Sequence, residues 1–237
     1  MKLNTNSNIY TFVYMTVVVI IVAVLLALAN QSLKPRQEAN ILLDKQKQIL
    51  GALKVDYTNA DPAEVYYTLV LDTLTYGEME VYVANLNGAT KYILPLSGKG
   101  LWGGIGGYLA LDEDKNTIYG VNFNHESETP GLGAKIVEPE FRSQFEGKHI
   151  RNAEGAVVSV AVLKAGKHAE GQEQVDAISG ATITSSGVST MLEVNLGEYA
   201  EFLKQCQTGE AVQTAESVQT GEAVQTGEAV QTKEAEL

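Results

Sequence analysis

The chain has 237 residues and a formal net charge of -12, with 29 acidic and 17 basic side chains. Its length allows one sizeable domain with additional segments. Its acidity excludes a nucleic acid as partner, because binding one requires a basic stripe that neutralises phosphates. Its single cysteine, Cys206, excludes an intrachain disulfide and a cysteine-ligated metal or iron–sulfur site.

An uncharged, apolar segment lies near the N-terminus. Between Lys2 and Lys34 there is no charged side chain, and residues 9–29 are almost entirely apolar. About 20 such residues in a helix cross a hydrocarbon core of roughly 30 Å, so the pattern predicts a transmembrane anchor over residues 1–34. A cleaved signal peptide is the alternative, since 27–29 resemble a cleavage site, although the apolar run exceeds the roughly 7–15 residues usual for one. The flanking charges do not decide the orientation.

Residues 35–55 follow as a predicted amphipathic linker helix. Four apolar side chains recur there at helical spacing among charged and amide side chains: Leu42, Ile49, Leu50 and Leu53. This periodicity is typical of a helix with one buried face. We therefore expect a spacer helix that leads off the membrane and packs on the domain that follows.

A single α+β domain is predicted over residues 56–206, with an antiparallel sheet and flanking helices. Short runs rich in β-branched and aromatic residues, separated by turns, indicate the strands. We expect strands at 65–71, 79–84, 90–96, 108–111, 117–123 and 157–163, with an acidic turn at 112–116. A short helix at 138–145, a polar loop at 164–172, an extended segment at 175–178 and a final helix to about Gln205 complete the domain.

Residues 207–237 form a low-complexity tail built on the six-residue repeat Gln-Thr-Gly-Glu-Ala-Val. About five copies, with Val as the one large apolar side chain, cannot bury a core. We therefore expect this acidic tail to be disordered, and we assign it no chemistry.

Two glycine-containing patterns are candidates for a ligand site. Residues 97–107 are the richest in glycine but lack the order of a phosphate-binding loop, so they indicate close approach of a backbone or a ligand. Trp102, within them, suits an ordinary core or a ligand site equally well. Near Pro130, glycines on both sides of Leu132 allow a tight loop that can lie against a planar ring.

The stretch 176–187 places a carboxylate, a serine, a glycine and a threonine directly before a predicted helix. Hydroxyl side chains ahead of an apolar run supply N-cap oxygens, so Ser179 or Thr182 could simply cap this helix. The free N–H groups of the same helix start are also a suitable seat for a phosphate. The pattern alone leaves both interpretations open.

The same stretch, Asp-x-x-Ser-Gly-Ala-Thr followed by x-Thr-Ser at 176–185, resembles the flavinylation motif of a family of FMN-binding domains. The family occurs in the C subunit of sodium-translocating NADH:quinone reductases and in the G subunit of the related ferredoxin-linked complexes. Glu-Thr-Pro-Gly-Leu-Gly at 128–133 resembles its second hallmark. Gly-Leu-Trp at 100–102 resembles its quinone-reductase branch.

The resemblance implies one FMN per chain, joined through its phosphate by a flavin transferase to Thr182 and not to Thr184. It further implies that Asp176 helps the transferase to recognise the site. The other residues implied to bind the cofactor are Ser179, Gly180, Ala181, Thr184, Trp102, Glu128, Thr129, Leu132 and Gly133. We assign no catalytic residue, because an electron carrier requires no acid–base pair, and no metal site, because the three histidines lack ligand spacing.

By the same resemblance, the chain is an electron-transfer subunit of a membrane complex that oxidises NADH, reduces ubiquinone and exports Na⁺. Its expected partners are the other subunits, the flavin transferase and the membrane, with the domain on the periplasmic side of a bacterial inner membrane. Three alternatives stay open: the ferredoxin-linked complex, a membrane-tethered module that holds FMN without a covalent bond, and a surface protein without a cofactor.

Overall fold

The first helix, α1 (Asn8–Ala52), is 45 residues long and includes the described part of the predicted anchor and most of the predicted linker helix, as far as Ala52. The computed structural model describes residues 8–77, 79–152, 154–164 and 166–204. At 1.5 Å per residue, α1 is about 68 Å long. Pro35 lies inside it and removes one hydrogen-bond donor from the helix interior. The helix nevertheless continues through this position, so the anchor and the linker form one continuous helix.

The two ends of α1 have different surroundings. The aliphatic side chains between Ile9 and Leu28 are exposed, and the helix is long and apolar enough, by length and composition, to cross a membrane. Near its C-terminal end one face is buried, formed by Gln46, Ile49, Leu50 and Ala52. The expectation that this part packs on the domain is confirmed, because Ile49 and Ala52 belong to a core cluster with sheet residues.

Residues 65–69 are helical, where the sequence predicts a strand. They belong to α2 (Pro62–Leu69), whose first position is the proline. Asp61 caps this helix by accepting a 3.0 Å hydrogen bond from the N–H of Ala63. These two start signals outweigh the strand preference of the following valine and tyrosines. The predicted strand was therefore wrong in its first part, and β1 (Val70–Tyr76) begins only after α2.

Five antiparallel strands, in the order β1-β2-β3-β4-β5, form the sheet. After β1 come β2 (Met79–Leu86), β3 (Ala89–Lys99), β4 (Gly104–Leu111) and β5 (Ile118–His125). Each overlaps one of the predicted strands and extends beyond it, and the predicted acidic turn joins β4 to β5. Short connections between neighbours are typical of antiparallel pairs. The predicted α+β class is confirmed.

Helices cover both faces of this sheet. Successive side chains of a strand point to opposite faces, and β2 shows the consequence. Tyr82 packs in the cluster with the end of α1, whereas its neighbour Val81 packs in the larger cluster on the other face. That second face is covered by α4 (Thr182–Glu198) and α5 (Ala200–Lys204), which contribute fully buried leucines to the larger cluster.

Only short elements lie between β5 and α4. They are the 3-10 helices Gly133–Val137 and Ser143–Phe145, α3 (Pro139–Arg142), and the parallel pair β6 (Ala161–Val162) and β7 (Gln174–Val175). The predicted helix at 138–145 is present as α3 and the second 3-10 turn. The predicted strand at 157–163 is reduced to the two residues of β6.

The final predicted helix is divided at Tyr199 into α4 and α5. Gly197, which has a low helix propensity, lies just before this division. The predicted helix end near Gln205, Cys206 and the repeat tail 207–237 lie outside the described residues.

Candidate functional site

Three segments of the chain meet at Glu128: the turn between β3 and β4, the segment after β5, and the first turn of α4. Thr184 Oγ1 donates a hydrogen bond of 2.6 Å to Glu128 Oε2. The backbone N–H of Trp102 donates one of 2.9 Å to Glu128 Oε1. Glu128 is 4% exposed and Thr184 is 2% exposed. A buried carboxylate therefore links the glycine-rich turn to the start of α4.

These hydrogen bonds keep Glu128 ionised despite its burial. Burial raises the pKa of a carboxyl, because the charged form is poorly solvated there, and it is the largest single influence on Glu128. The hydroxyl of Thr184 and the N–H groups of Trp102 and Leu101 act in the opposite direction. Together they hold the pKa of Glu128 below its ordinary value of 4.5, so the carboxylate is charged at neutral pH.

Two glycines leave room for this carboxylate. A Cβ at Gly133 would overlap with Glu128 Oε2 and would lie 2.6 Å from Thr184 Oγ1. A Cβ at Gly100 would overlap with Glu128 Oε1. A side chain at either position would therefore have to displace the Glu128 carboxylate from its hydrogen bonds.

Helix α4 begins at Thr182 without a side-chain cap. Ala181 is the N-cap residue, and no side chain accepts a hydrogen bond from the first turn in the capping position. The interpretation of Ser179 or Thr182 as an N-cap is therefore wrong. The first backbone bond of the helix runs from Ser185 N to Ala181 O at 2.9 Å, so the earlier N–H groups have no partner within the helix. The side chain of Thr182 is exposed, directly at this uncapped end.

Exposed apolar side chains lie on all three segments. They are Leu101, Trp102, Leu132 and Ile183. Trp102 is 67% exposed, which excludes the ordinary core position that the sequence left open. Leu132 reaches the loop before α4, since a Cβ at Gly180 would lie 2.9 Å from Leu132 Cδ2. Apolar side chains beside an uncapped helix start suit a ligand that has both a planar ring and a phosphate.

An open groove of about 410 Å³ lies beside Ile183, between the end of β3 and α4. Its volume is within the range of small-molecule sites. It is lined by Ser97, Gly98, Lys99, Ile183, Ser186, Gly187, Thr190, Met191 and Val194. A Cβ at Gly187 would overlap with the carbonyl oxygen of Lys99, so α4 packs directly on the strand at this groove.

The chain resembles a solved protein, the C subunit of the Na(+)-translocating NADH-quinone reductase from Parabacteroides distasonis. The two are 41% identical in sequence, with a TM-score of 0.67, over 72% of this chain and 96% of that one. The chain belongs to this C-subunit family. An FMN-binding domain family also matches residues 100–196, a range that contains Gly100, Glu128, Gly133 and both motif threonines.

Three further relatives match at lower sequence identity. The Vibrio alginolyticus relative is 28% identical over 231 residues, which cover 78% of this chain and 90% of the relative. The Pseudomonas aeruginosa relative is 37% identical over 137 residues, which cover 55% and 52%. The Shewanella oneidensis NqrC structure, at 24% identity and a TM-score of 0.58 over 68% of this chain and 95% of that one, supports the fold alone. The predicted family is confirmed.

Asp176, the carboxylate of the C-subunit family motif in this chain, is directed to another loop. It accepts a 2.7 Å hydrogen bond from the N–H of Ala169, and one of its oxygens lies 3.5 Å from His168 Nδ1. The bond from Ala169 is the main reason why the pKa of Asp176 is lowered. Among the described residues, none of its hydrogen bonds goes to Thr182. Recognition by a transferase stays a prediction for Asp176.

The remaining predicted site residues lie close to these segments. Ser179 is exposed, and the carbonyl of Thr129 accepts hydrogen bonds from the N–H groups of Leu132 and Ala134 at 3.1 Å each. The sequence grouped Glu128 with Thr184 as cofactor contacts, whereas the structure shows that their side chains bind each other. Glu126, which sequence reasoning left without a role, accepts a 3.0 Å hydrogen bond from Gly104 N.

Proposed function

We propose that the chain carries one FMN, bound covalently through its phosphate to Thr182, and that it transfers electrons within an NADH:quinone reductase complex. One observation carries the assignment of the hydroxyl. Thr182 is exposed at the uncapped start of α4, whereas Thr184 is buried and its hydroxyl donates a hydrogen bond to Glu128.

The chemistry of the attachment fits this position. In the proposed transfer, the new bond would join Thr182 Oγ1 to the phosphorus of an FMN donor whose phosphate is already esterified to a leaving group. The P–O bond to that group would break, the group would depart with the hydroxyl proton, and the product would gain one FMN minus one water. The reaction requires a hydroxyl that a transferase can reach. An anionic phosphate attached there would lie near the first N–H groups of α4, which have no partner within the helix, and near the positive end of the helix dipole, both of which favour negative charge.

The bound FMN would supply the redox chemistry, and the chain's own residues would hold and orient it. The exposed side chains of Trp102, Leu132 and Ile183 offer apolar surface for a planar ring. The carboxylate of Glu128 has its hydrogen bonds to Thr184 and to the backbone of the turn. We therefore propose that Glu128 positions the turn before β4 and the start of α4 around the cofactor.

Membrane attachment follows from α1. Its exposed apolar part would place the chain in a membrane as a single-pass subunit. The bacterial inner membrane and the periplasmic side of the domain are proposed from the resemblance to the C-subunit family. The sequence between Lys2 and Lys34 contains no charged side chain that could conduct an ion. We therefore assign NADH oxidation, quinone reduction and outward Na⁺ transport to the assembled complex, and expect the other subunits and a flavin transferase as partners.

Thr182→Val and Thr184→Val, each produced with a flavin transferase, test the attachment. We expect Thr182→Val to lose in-gel flavin fluorescence after denaturation, together with the added mass of FMN minus water. Thr184→Val should still carry covalent flavin, and this flavin should be found on the peptide fragment that contains Thr182. Covalent flavin that persists in Thr182→Val would refute the assignment, and flavin released on denaturation of the parent would favour non-covalent binding.

A further inference from the structure

Within residues 8–77, 79–152, 154–164 and 166–204, Glu128 is the one carboxylate that is buried. A buried charge is costly unless hydrogen bonds compensate it. The compensating donors come from the turn before β4 and from the first turn of α4. The contacts of Glu128 therefore show how these two segments are held together.

We propose that Glu128 and Thr184 form a positioning pair, which fixes the turn carrying Trp102 against the first turn of α4 and leaves Thr182 as the threonine available for attachment. The functional half of this proposal rests on the proposed attachment at Thr182. The structural half, the position of Trp102, does not.

The turn carrying Trp102 is held through its backbone. It is closed by a 2.9 Å hydrogen bond from Gly100 N to Gly103 O, and the N–H of Trp102 is bound by Glu128. Trp102 as a whole is 67% exposed, so packing around its side chain contributes little to its position. Loss of the Glu128 contact should therefore let the indole move.

The same pair distinguishes the two threonines of the motif. Thr182 and Thr184 are two residues apart, which places their side chains about 200° apart around a helix of 3.6 residues per turn. Thr184 faces Glu128 and the space left by Gly133. Its hydroxyl is buried and already donates a hydrogen bond. Thr182 must then face away from the pair, towards solvent.

The chain has one tryptophan, so its fluorescence reports the turn directly. We would prepare the full chain in detergent without the transferase, and measure the anisotropy and acrylamide quenching of Trp102. Thr184→Val removes the donor at nearly constant shape, and we expect anisotropy to fall and quenching to rise. Thr184→Ser keeps the hydroxyl and should restore the parent values. Thr75→Val, at an exposed position of β1, is the matched control and should change neither.

Glu128→Gln provides the second variant, because it removes the charge and weakens both hydrogen bonds. If the two residues act through each other, the double variant should change the fluorescence by less than the sum of the single variants. Additive changes would contradict the pair. Exposed Glu140 offers the control Glu140→Gln. A thermal transition recorded for each variant shows that the domain is folded in the measurement.

Production with the transferase tests the functional half. We expect the yield of covalent flavin to fall in Thr184→Val and in Glu128→Gln and to return in Thr184→Ser. If the fluorescence of Trp102 changes in these variants while the flavin yield does not, the pair does not affect attachment and the functional half is wrong. If the fluorescence is unchanged in both variants, Glu128 and Thr184 do not position the turn. Because the fluorescence arm contains no flavin, its result stands whether or not Thr182 is the acceptor.

Discussion

Helices α1 and α4 pack on opposite faces of the same sheet, and they differ in what they present there. α1 ends inside a core, where Ile49 and Leu53 are fully buried. α4 begins with exposed Thr182 and with N–H groups that no side chain caps. On the α1 face, buried apolar side chains attach the domain to α1. On the α4 face, the start of the helix leaves polar groups free for a ligand. Both faces therefore contain a buried core, and the α4 face also carries the polar groups that we propose to bind the ligand.

The largest expected effect tests the α1 face. Leu53→Ala should lower the free energy of unfolding by about 2–5 kcal/mol, because it leaves a cavity between α1 and the sheet. Urea unfolding of the full chain in detergent measures this. Leu53 directly follows the last residue of α1; Leu42→Ala, inside α1 and 50% exposed, is the control and should change it by at most about 0.5 kcal/mol. If folded Leu53→Ala loses its covalent flavin, the two faces are not independent.

An intermediate effect is expected on the α4 face. Gly133→Ala should lower the free energy of unfolding by about 1–3 kcal/mol, since the new methyl group overlaps with Glu128 and Thr184. It should also lower the yield of covalent flavin, which Leu53→Ala should not. Gly197→Ala is the control, because a Cβ there meets nothing within 4 Å. A normal flavin yield in Gly133→Ala would contradict the role of this close packing.

The smallest expected effect is a pH dependence. The pKa of Glu128 is lower in the folded chain than its ordinary value of 4.5, so its contribution to stability is fully present above that value. The contribution is lost as the pH falls through the folded pKa. The difference in unfolding free energy between the parent and Glu128→Gln should therefore shrink below about pH 4.5. Glu140→Gln should show no such dependence, and a difference that grows in acid would contradict an ionised Glu128.

Local patterns predicted the larger part of the fold. The apolar run of α1 and the strand-forming runs of β2 to β5 are signals contained in neighbouring residues, and the structure has elements at these places. The helix at 65–69 was missed because an Asp61 cap and a proline at the first helical position outweighed β-forming side chains. The strand at 157–163 was overestimated because it pairs with only two residues of β7.

Prediction of the site was uneven for a similar reason. The motif residues around Thr182 and Glu128 could be selected from sequence, because the resemblance lies in contiguous residues. Their contacts could not, since Asp176 binds the 168–169 loop and Trp102 is exposed. Gly100 was visible only as part of Gly-Leu-Trp, and the need for a glycine there depends on Glu128, which is distant in sequence.

The sequence by itself determined that this chain has an apolar run long enough to cross a membrane, an antiparallel α+β domain and a motif with two threonines. It could not determine from the residues alone which threonine hydroxyl is free, since both lie in one short stretch with the same chemistry. The tertiary structure decided this. Glu128, 56 residues away along the chain, binds and buries Thr184, and helical geometry then turns Thr182 outward. A choice between two similar hydroxyls thus depends on a long-range contact that no local pattern contains.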